Sequence, residues 1–435
     1  LSENPKTMRL LIDFFAHSQF LTDLFLRRPE LLDSLIRVDL TRPRKSSKEM
    51  GKEVTASLAE QEDLEGKLNA LRRYRGEEFL RIGLHDLGGE LELEEIVIQL
   101  SDLADACLEG ALGLSLQVMN QSYGELRKGK FAILGIGKLG GREIDYNSDL
   151  DLIFIYDAND KAKSKGGTSG KIDAHGYYTR LGQKLLTFLS SPMTEGIAYK
   201  IDMRLRPSGR AGPVVSSLDS FRHYHKTSSE LWERQALIKA RCAAGDGDLG
   251  AATERLARNF AYGKGITKED VGAIDHQRMR MEKELAKEST DQFNLKKGRG
   301  GLVDIEFLVQ MLQLTHTHRL PVLRRRGTLD ALDALNEKKI INRSDHRLLS
   351  EGYRFLRRLD HRLRLRQDQS IETLECEPEK LRGIAHFLGY KSKDKNKAGD
   401  LLLRDYEQRR EQIRTCYEKF FKTAENDNIT EQDHQ

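Results

Sequence analysis

The stretch Phe131-Ala132-Ile133-Leu134-Gly135-Ile136-Gly137-Lys138-Leu139-Gly140-Gly141 is followed, seven residues later, by Asp149-Leu150-Asp151-Leu152-Ile153-Phe154-Ile155-Tyr156. The first run is short, apolar and closed by glycine, which predicts a strand. The second is rich in branched and aromatic residues and predicts another. A Lys/Gly/Ser loop over 158–172 reads as mobile. A helix is expected at about 173–190, and a third strand at Ala198–Arg204, ended by Pro207-Ser208-Gly209. These elements define a core over residues 129–245.

Outward from that core the pattern changes. Residues 1–128 read as helical: Leu10, Leu11, Phe14 and Phe15 recur at helical spacing, as do Phe20, Leu21, Leu24 and Phe25, and then Leu31, Leu32, Leu35 and Ile36. A polar, basic break at 41–50 precedes a long charged helix to about Leu84 and another over 93–123. Residues 246–435 read as a helical bundle broken near Gly263-Lys264-Gly265, Gly298 to Gly301, Pro321 and Pro378, with a polar tail from about Asn426. The 435 residues suffice for two or three domains at roughly 150 residues each. The class expected is α+β, a small mixed sheet with helices, mostly α overall.

Composition excludes several classes. Lys and Arg number 72 against 68 Asp and Glu, a net charge of +4, too balanced to make nucleic acid the default partner. No apolar run approaches the ~20 residues of a membrane helix, and no signal peptide is visible. The four cysteines, Cys107, Cys242, Cys376 and Cys416, lie far apart, as reduced thiols of a cytoplasmic protein would. The leading Leu1 suggests a piece of something longer.

The chemistry is expected around the acids. Carboxylates at i and i+2 of a strand share a face. Asp149 and Asp151 would repel each other unless a cation stands between them, which suggests oxygen ligands for Mg²⁺. Asp202 on the later strand would complete a set of three if that strand lies beside the first, the requirement for two-metal phosphoryl or nucleotidyl transfer. Gly140 and Gly141 would let backbone N–H groups approach a triphosphate. Ser148 could donate to it, and Lys138, Arg204, Arg206 and Arg210 could neutralise it. Taken singly, a DxD is commonly a surface acidic pair and a Gly-Gly commonly a turn; the ordered combination is what points to nucleotide chemistry. Gly135-x-Gly137 lacks the third glycine and the following acid of a dinucleotide fingerprint.

Gly135 to Glu143, with Asn147 to Phe154, resembles the nucleotidyltransferase signature of the glutamine-synthetase adenylyltransferase family. Asp202 to Gly209 matches the family's Asp-x-Arg-Leu-Arg-Pro-Ser-Gly segment, Trp232 to Arg241 its Trp-Glu-x-Gln-Ala-Leu-x-x-Ala-Arg segment, and Gly300 to Phe307 its Gly-Gly-x-x-Asp-Ile-Glu-Phe segment. Arg27 to Asp33 resembles the stretch before the catalytic core. The resemblance implies a polymerase-beta-like nucleotidyltransferase core flanked by helical regions. It also implies transfer of AMP from ATP to a tyrosine of glutamine synthetase, with Mg²⁺ held by Asp149, Asp151 and Asp202, and a PII-type nitrogen-signalling protein as regulator. Family members carry two opposed halves; Arg206 to Gly209 and Trp232 to Arg241 look more like the AMP-adding, carboxy-terminal half. The AMP-removing half, acting by phosphorolysis to give ADP, is the alternative. A catalytically silent regulatory module is a third, disfavoured because nothing would retain three mutually repelling acids. No general base is evident; a metal or Asp202 itself would take the tyrosine proton.

Other candidates have plainer readings. Lys239, Arg241, Asp304 and Glu306 are secondary site candidates: Lys239 and Arg241 alternate along a segment where a phosphate role is open, Arg241 being equally readable as an ion pair with Glu233, and Asp304 and Glu306 follow a glycine-rich basic loop equally readable as a hinge. Trp232 is expected to pack in the core. Arg354, Arg357, Arg358, Arg362, Arg364 and Arg366, with Leu356, Leu359 and Leu363, make an amphipathic helix whose basic face is expected to be solvated. His223, His225, His316, His318 and His361 have no metal-ligand frame.

Overall fold

Two apolar runs build the centre of the sheet. In the computed structural model, which describes Thr22 and residues 42–366, 373–392 and 397–426, β1 (Lys130–Gly135) is buried from its second residue onward. β2 (Leu150–Asp157) is buried over most of its length. A strand covered on both faces reads as a continuous apolar run rather than an alternation. The two pair antiparallel, from Lys130 opposite Asp157 to Gly135 opposite Leu152. The amino-terminal helices expected within residues 1–41, the Arg27–Asp33 stretch and most of the polar tail lie outside the described residues.

The remaining strands are short. β3 (Ile201–Asp202) and β4 (Val215–Ser217) both run parallel to β2, at different heights along it. β5 (Arg241–Gly245) pairs antiparallel with β1 through a bulge at Ile133/Leu134. The third strand is thus shorter than the expected 198–204. Beyond Asp202 the chain turns, with the Met203 carbonyl accepting from the Arg206 N–H. β4 and β5 were not foreseen, being too short to show periodicity.

Helices pack around this mixed sheet. α1 (Ser47–Ala59) begins inside the expected basic break, because Ser46 and Glu49 form a reciprocal capping box. The expected single helix to Leu84 is two, since Asp63 accepts from the Gly66 N–H at 2.6 Å and starts α2 (Leu64–Leu87). α3 (Leu93–Tyr123) follows the expected range and packs against α1, α2 and β5. A five-residue helix, α4 (Gly137–Gly141), joins β1 to the loop before β2. α5 (Ala174–Ser190), capped by Asp173, crosses from β2 toward β3 and packs on α3. The 158–172 loop is tied down rather than loose: the N–H groups of Lys165, Gly166, Thr168 and Ser169 donate to carbonyls of residues 121–125 at the end of α3. α6 (Leu218–Thr227) and α7 (Leu231–Leu237) lead into β5.

The chain divides into two compact units, meeting in sequence between Phe260 and Ala261. Helices α1 to α3 therefore belong with the sheet in one unit, which α8 (Gly247–Tyr262) closes. The second unit holds α9 (Lys268–Met281), α10 (Leu302–His316), α11 (Thr328–Glu337), α12 (Arg343–Arg366), α13 (Pro378–Phe387) and α14 (Lys397–Asn426). It also holds a two-stranded antiparallel sheet of β6 (Gln292–Asn294) and β7 (Thr373–Glu375), absent from the all-helical expectation.

At the heart of the second unit Asp304, 0% exposed, is ion-paired with Arg278, also 0% exposed, and with Arg414 at 3.4 Å. The expected solvated arginine face of α12 is partly internal. Arg357 and Arg364 are buried, the latter on Asp360 at 2.9 Å, and Arg362 lies over the Phe387 ring at 3.9 Å. The buried arginines are held by acids and aromatic faces of their own unit. The cysteines are free, and burial pushes the Cys107 and Cys416 thiols up to about 12.

Candidate nucleotidyl-transfer site

Parallel pairing of β2 with β3 brings the acids together. Leu150 lies opposite Ile201 and Asp151 opposite Asp202, so two residues 51 apart in sequence become cross-strand neighbours (202 − 151 = 51). The register is closed by the Leu150 N–H donating to the Lys200 carbonyl at 2.9 Å. Asp149 immediately precedes the strand and is exposed, while Asp151 and Asp202 are half-buried.

Gly137 forms the other wall. It starts α4 with φ +55°, a left-handed conformation that L side chains rarely adopt, and a Cβ there would stand 2.6 Å from Asp151 Oδ2. The backbone can approach the carboxylate only because this residue is glycine. Gly140, expected to admit a triphosphate, has another reason to be glycine: its Cβ would stand 1.9 Å from the Lys239 carbonyl and 2.6 Å from that of Gly135. Gly141 is buried at the end of α4. Ser148 accepts from the Asp145 N–H at 3.2 Å, folding the loop that leads into Asp149.

Of the expected cations, Arg204 is seated on Asp202, and the charge of Arg210 also acts on that carboxylate. The Arg204 backbone N–H donates to Asp202 Oδ1 at 2.8 Å, its Nε to Oδ2 at 2.7 Å, and an Nη lies 2.5 Å from Oδ2. Burial alone would raise the Asp202 carboxyl, but the hydrogen bonds and charge of Arg204 outweigh it and hold it below the ordinary carboxylate range. Arg204 is raised in turn by hydrogen bonding to Asp202, by its charge, and by the charges of Asp151 and Asp149. Lys138 is ion-paired with the buried Asp145. Arg206 donates to the carbonyls of Met203, Arg210 and Gly212, bracing the 203–212 loop.

Lys239, Arg241 and Asp304 are ion-pair partners. Lys239 reaches Glu143 at 2.6 Å, and Arg241 grips Asp105 of α3 bidentately at 2.6 and 2.9 Å. Arg142 on Asp102 at 2.5 Å and Arg241 on Asp105 fasten the end of α4 and β5 to α3. Asp304 also accepts from the Gly300 N–H at 2.8 Å, which shapes the glycine loop before α10. Glu306 is half-buried on α10, in the second unit. Trp232 is half-buried. Gly137, Asp145, Asp102 and Asp105 escaped the sequence reading. Gly137 lay inside the decisive motif, whereas the two acids of α3 carry no signal beyond helical periodicity.

The donors suit a hard divalent cation, being three carboxylates with two in direct register. As the side chains stand, with Arg204 seated on Asp202, no three His, Cys, Asp or Glu groups among the described residues are gathered closely enough to hold a metal. Among the same residues no helix is long and apolar enough to cross a membrane.

Residues 272–421 match the GlnD PII-uridylyltransferase family. The chain is 34% identical over 388 residues to the bifunctional glutamine synthetase adenylyltransferase/adenylyl-removing enzyme of Thioalkalivibrio sulfidiphilus, covering 87% of this chain and 39% of that protein. Proteins of the same name from Nitrosococcus oceani (33% over 401 residues, 89% of this chain and 40% of that protein) and Pseudomonas putida (32% over 398 residues, 85% and 40%) are similar. The chain spans about two fifths of the length of these curated relatives. With residues 8–256, more than half its length, matching that family, the chain belongs to the glutamate-ammonia ligase adenylyltransferase family.

Proposed function

We propose that the chain transfers AMP from ATP to a tyrosine of glutamine synthetase, releasing pyrophosphate. The observation that carries this reading is the parallel register setting Asp151 beside Asp202, with the Gly137 backbone against Asp151. The core would be a polymerase-beta-like nucleotidyltransferase fold within residues 129–245, with the helices of 246–435 open to a PII-type regulator.

In this reading Asp149, Asp151 and Asp202 hold Mg²⁺. When bound, the cation neutralises the triphosphate and polarises the α-phosphorus. The tyrosine oxygen forms a bond to the α-phosphorus as the bond to the bridging oxygen of pyrophosphate breaks. Asp202 itself would be the acceptor of the tyrosine proton. Arg204 has its guanidinium seated on Asp202, and it offers a phosphate a bidentate fork. The glycine helix and the Asp145–Ser148 turn hold the backbone that presents Asp149 and Asp151.

ATP labelled at the α-phosphate, incubated with unmodified glutamine synthetase, should leave label on the synthetase. Asp151→Asn should abolish that labelling while circular dichroism and melting are retained. Release of ADP from adenylylated synthetase and orthophosphate, with no labelling from ATP, would assign the opposite direction. Labelling that survives Asp151→Asn would overturn the site.

A further inference from the structure

The cations around the site differ in how they are held. Arg206 donates to three carbonyls of its own loop, and Lys138 is ion-paired with the buried Asp145. Arg204 is 64% exposed at its side chain and is anchored by Asp202 alone among the contacts described above. It touches both Asp202 oxygens, and the charges of Asp151 and Asp149 reinforce its own. Its guanidinium therefore neutralises the carboxylates that a divalent cation would use. The guanidinium end of the pair is open to solvent while Asp202 is largely covered, so water screens Arg204 and can take it up when it leaves the carboxylate.

We propose that Arg204 is a displaceable internal counter-ion: it occupies Asp202 while the site is empty of nucleotide, and it moves to the triphosphate as a divalent cation takes its place. The idea rests on the reading of the three acids as the cation site. Its consequence is a binding order. Divalent cation alone must evict Arg204 and leave it without a partner. Cation together with nucleotide gives Arg204 a new anion, because its fork suits phosphate oxygens as well as a carboxylate. Metal and nucleotide should then strengthen each other's binding through this one side chain, and by the same factor in both directions. Arg204 acts here as a positioning residue for the acids.

The test is Mn²⁺ titration of the full chain, followed by the electron paramagnetic resonance of free Mn²⁺, with and without a non-hydrolysable α,β-methylene ATP analogue. Arg204→Gln frees Asp202 and removes a like charge. It should bind Mn²⁺ about tenfold more tightly than the unaltered chain without nucleotide. In the unaltered chain the analogue should tighten Mn²⁺ by about tenfold or more, and in Arg204→Gln most of that gain should vanish. Arg204→Lys, which keeps the charge without the fork, should fall between. Arg222→Gln, at an exposed pair with Asp219, should match the unaltered chain and report any general charge effect. Equal Mn²⁺ affinity of the unaltered chain and Arg204→Gln, with equal coupling, would overturn the counter-ion role and leave the three-acid site standing. No saturable Mn²⁺ binding by the unaltered chain, even with the analogue, would overturn both.

Discussion

Replacing Asp304 with Asn removes one charge from the centre of the second unit and little else. Asp304 and Arg278 are both 0% exposed; Arg414, 7% exposed at its side chain, lies 3.4 Å from Asp304. The Gly300 N–H keeps an oxygen acceptor in Asn, so the loop hydrogen bond survives. What is lost is compensation of two buried guanidiniums, which retain Glu282 at 3.1 Å from each. Removing one partner of a buried pair costs about 3–5 kcal/mol, and the remaining Glu282 argues for the lower end, about 3 kcal/mol. With a urea slope of ~2 kcal/mol/M, the midpoint should fall by about 1.5 M. Urea titration of the full chain, followed by fluorescence and circular dichroism, reads this directly. In the double variant Asp304→Leu/Arg278→Met, apolar groups replace the pair, and much of the loss should return. A midpoint shift below about 0.3 M, together with loss of AMP transfer, would refute the structural reading and restore Asp304 as a site residue.

Gly137→Ala should damage the site more than the fold. A residue other than glycine at φ +55° costs roughly 1 kcal/mol, and its Cβ, 2.6 Å from Asp151 Oδ2, must push that carboxylate aside. Labelling of glutamine synthetase should fall at least tenfold with melting nearly unchanged, and full activity would contradict the placement. His225 is buried against Phe221, Tyr224 and Phe260, and burial lowers its imidazole to about 4. Below its ordinary value of about 6.5 the unfolded chain binds a proton that the folded chain refuses, so stability present above that pH is lost as pH falls toward 4. The loss approaches about 3 kcal/mol, and His225→Phe should remove that slope from stability measured against pH. Equal slopes in both chains would refute it. Arg241→Lys, which gives up the bidentate grip on Asp105, should lower the melting temperature, whereas an unchanged melt would show that the clamp on α3 contributes nothing.

Local chemistry made much of this molecule legible. Strands at 131–134 and 150–156 and helices at 93–123 and 174–190 follow from runs, periodicity and the Asp173 cap, all readable within a few residues. The spacing of Asp149 and Asp151 puts them on one strand face, and it is their order after Gly140-Gly141 and before Asp202 that marks them out. Elements of two or three residues, such as β3, β4, β6 and β7, carry no periodicity, and their existence depends on the partner strand.

Tertiary structure decided what the flagged residues do. Glu143, Asp105 and Arg414, which pair with Lys239, Arg241 and Asp304, lie 96, 136 and 110 residues from them, beyond the reach of any local pattern. Gly140 is glycine because the Lys239 carbonyl fills the space of its Cβ, while the glycine that admits the backbone to an acid is Gly137. Arg204 and Arg206 look alike two residues apart, yet one grips a carboxylate and the other its own loop. A sequence determines which groups can carry charge and which segments can pair; only the strand register places Asp202 beside Asp151, because that neighbourhood is created by hydrogen bonds between strands and not by distance along the chain.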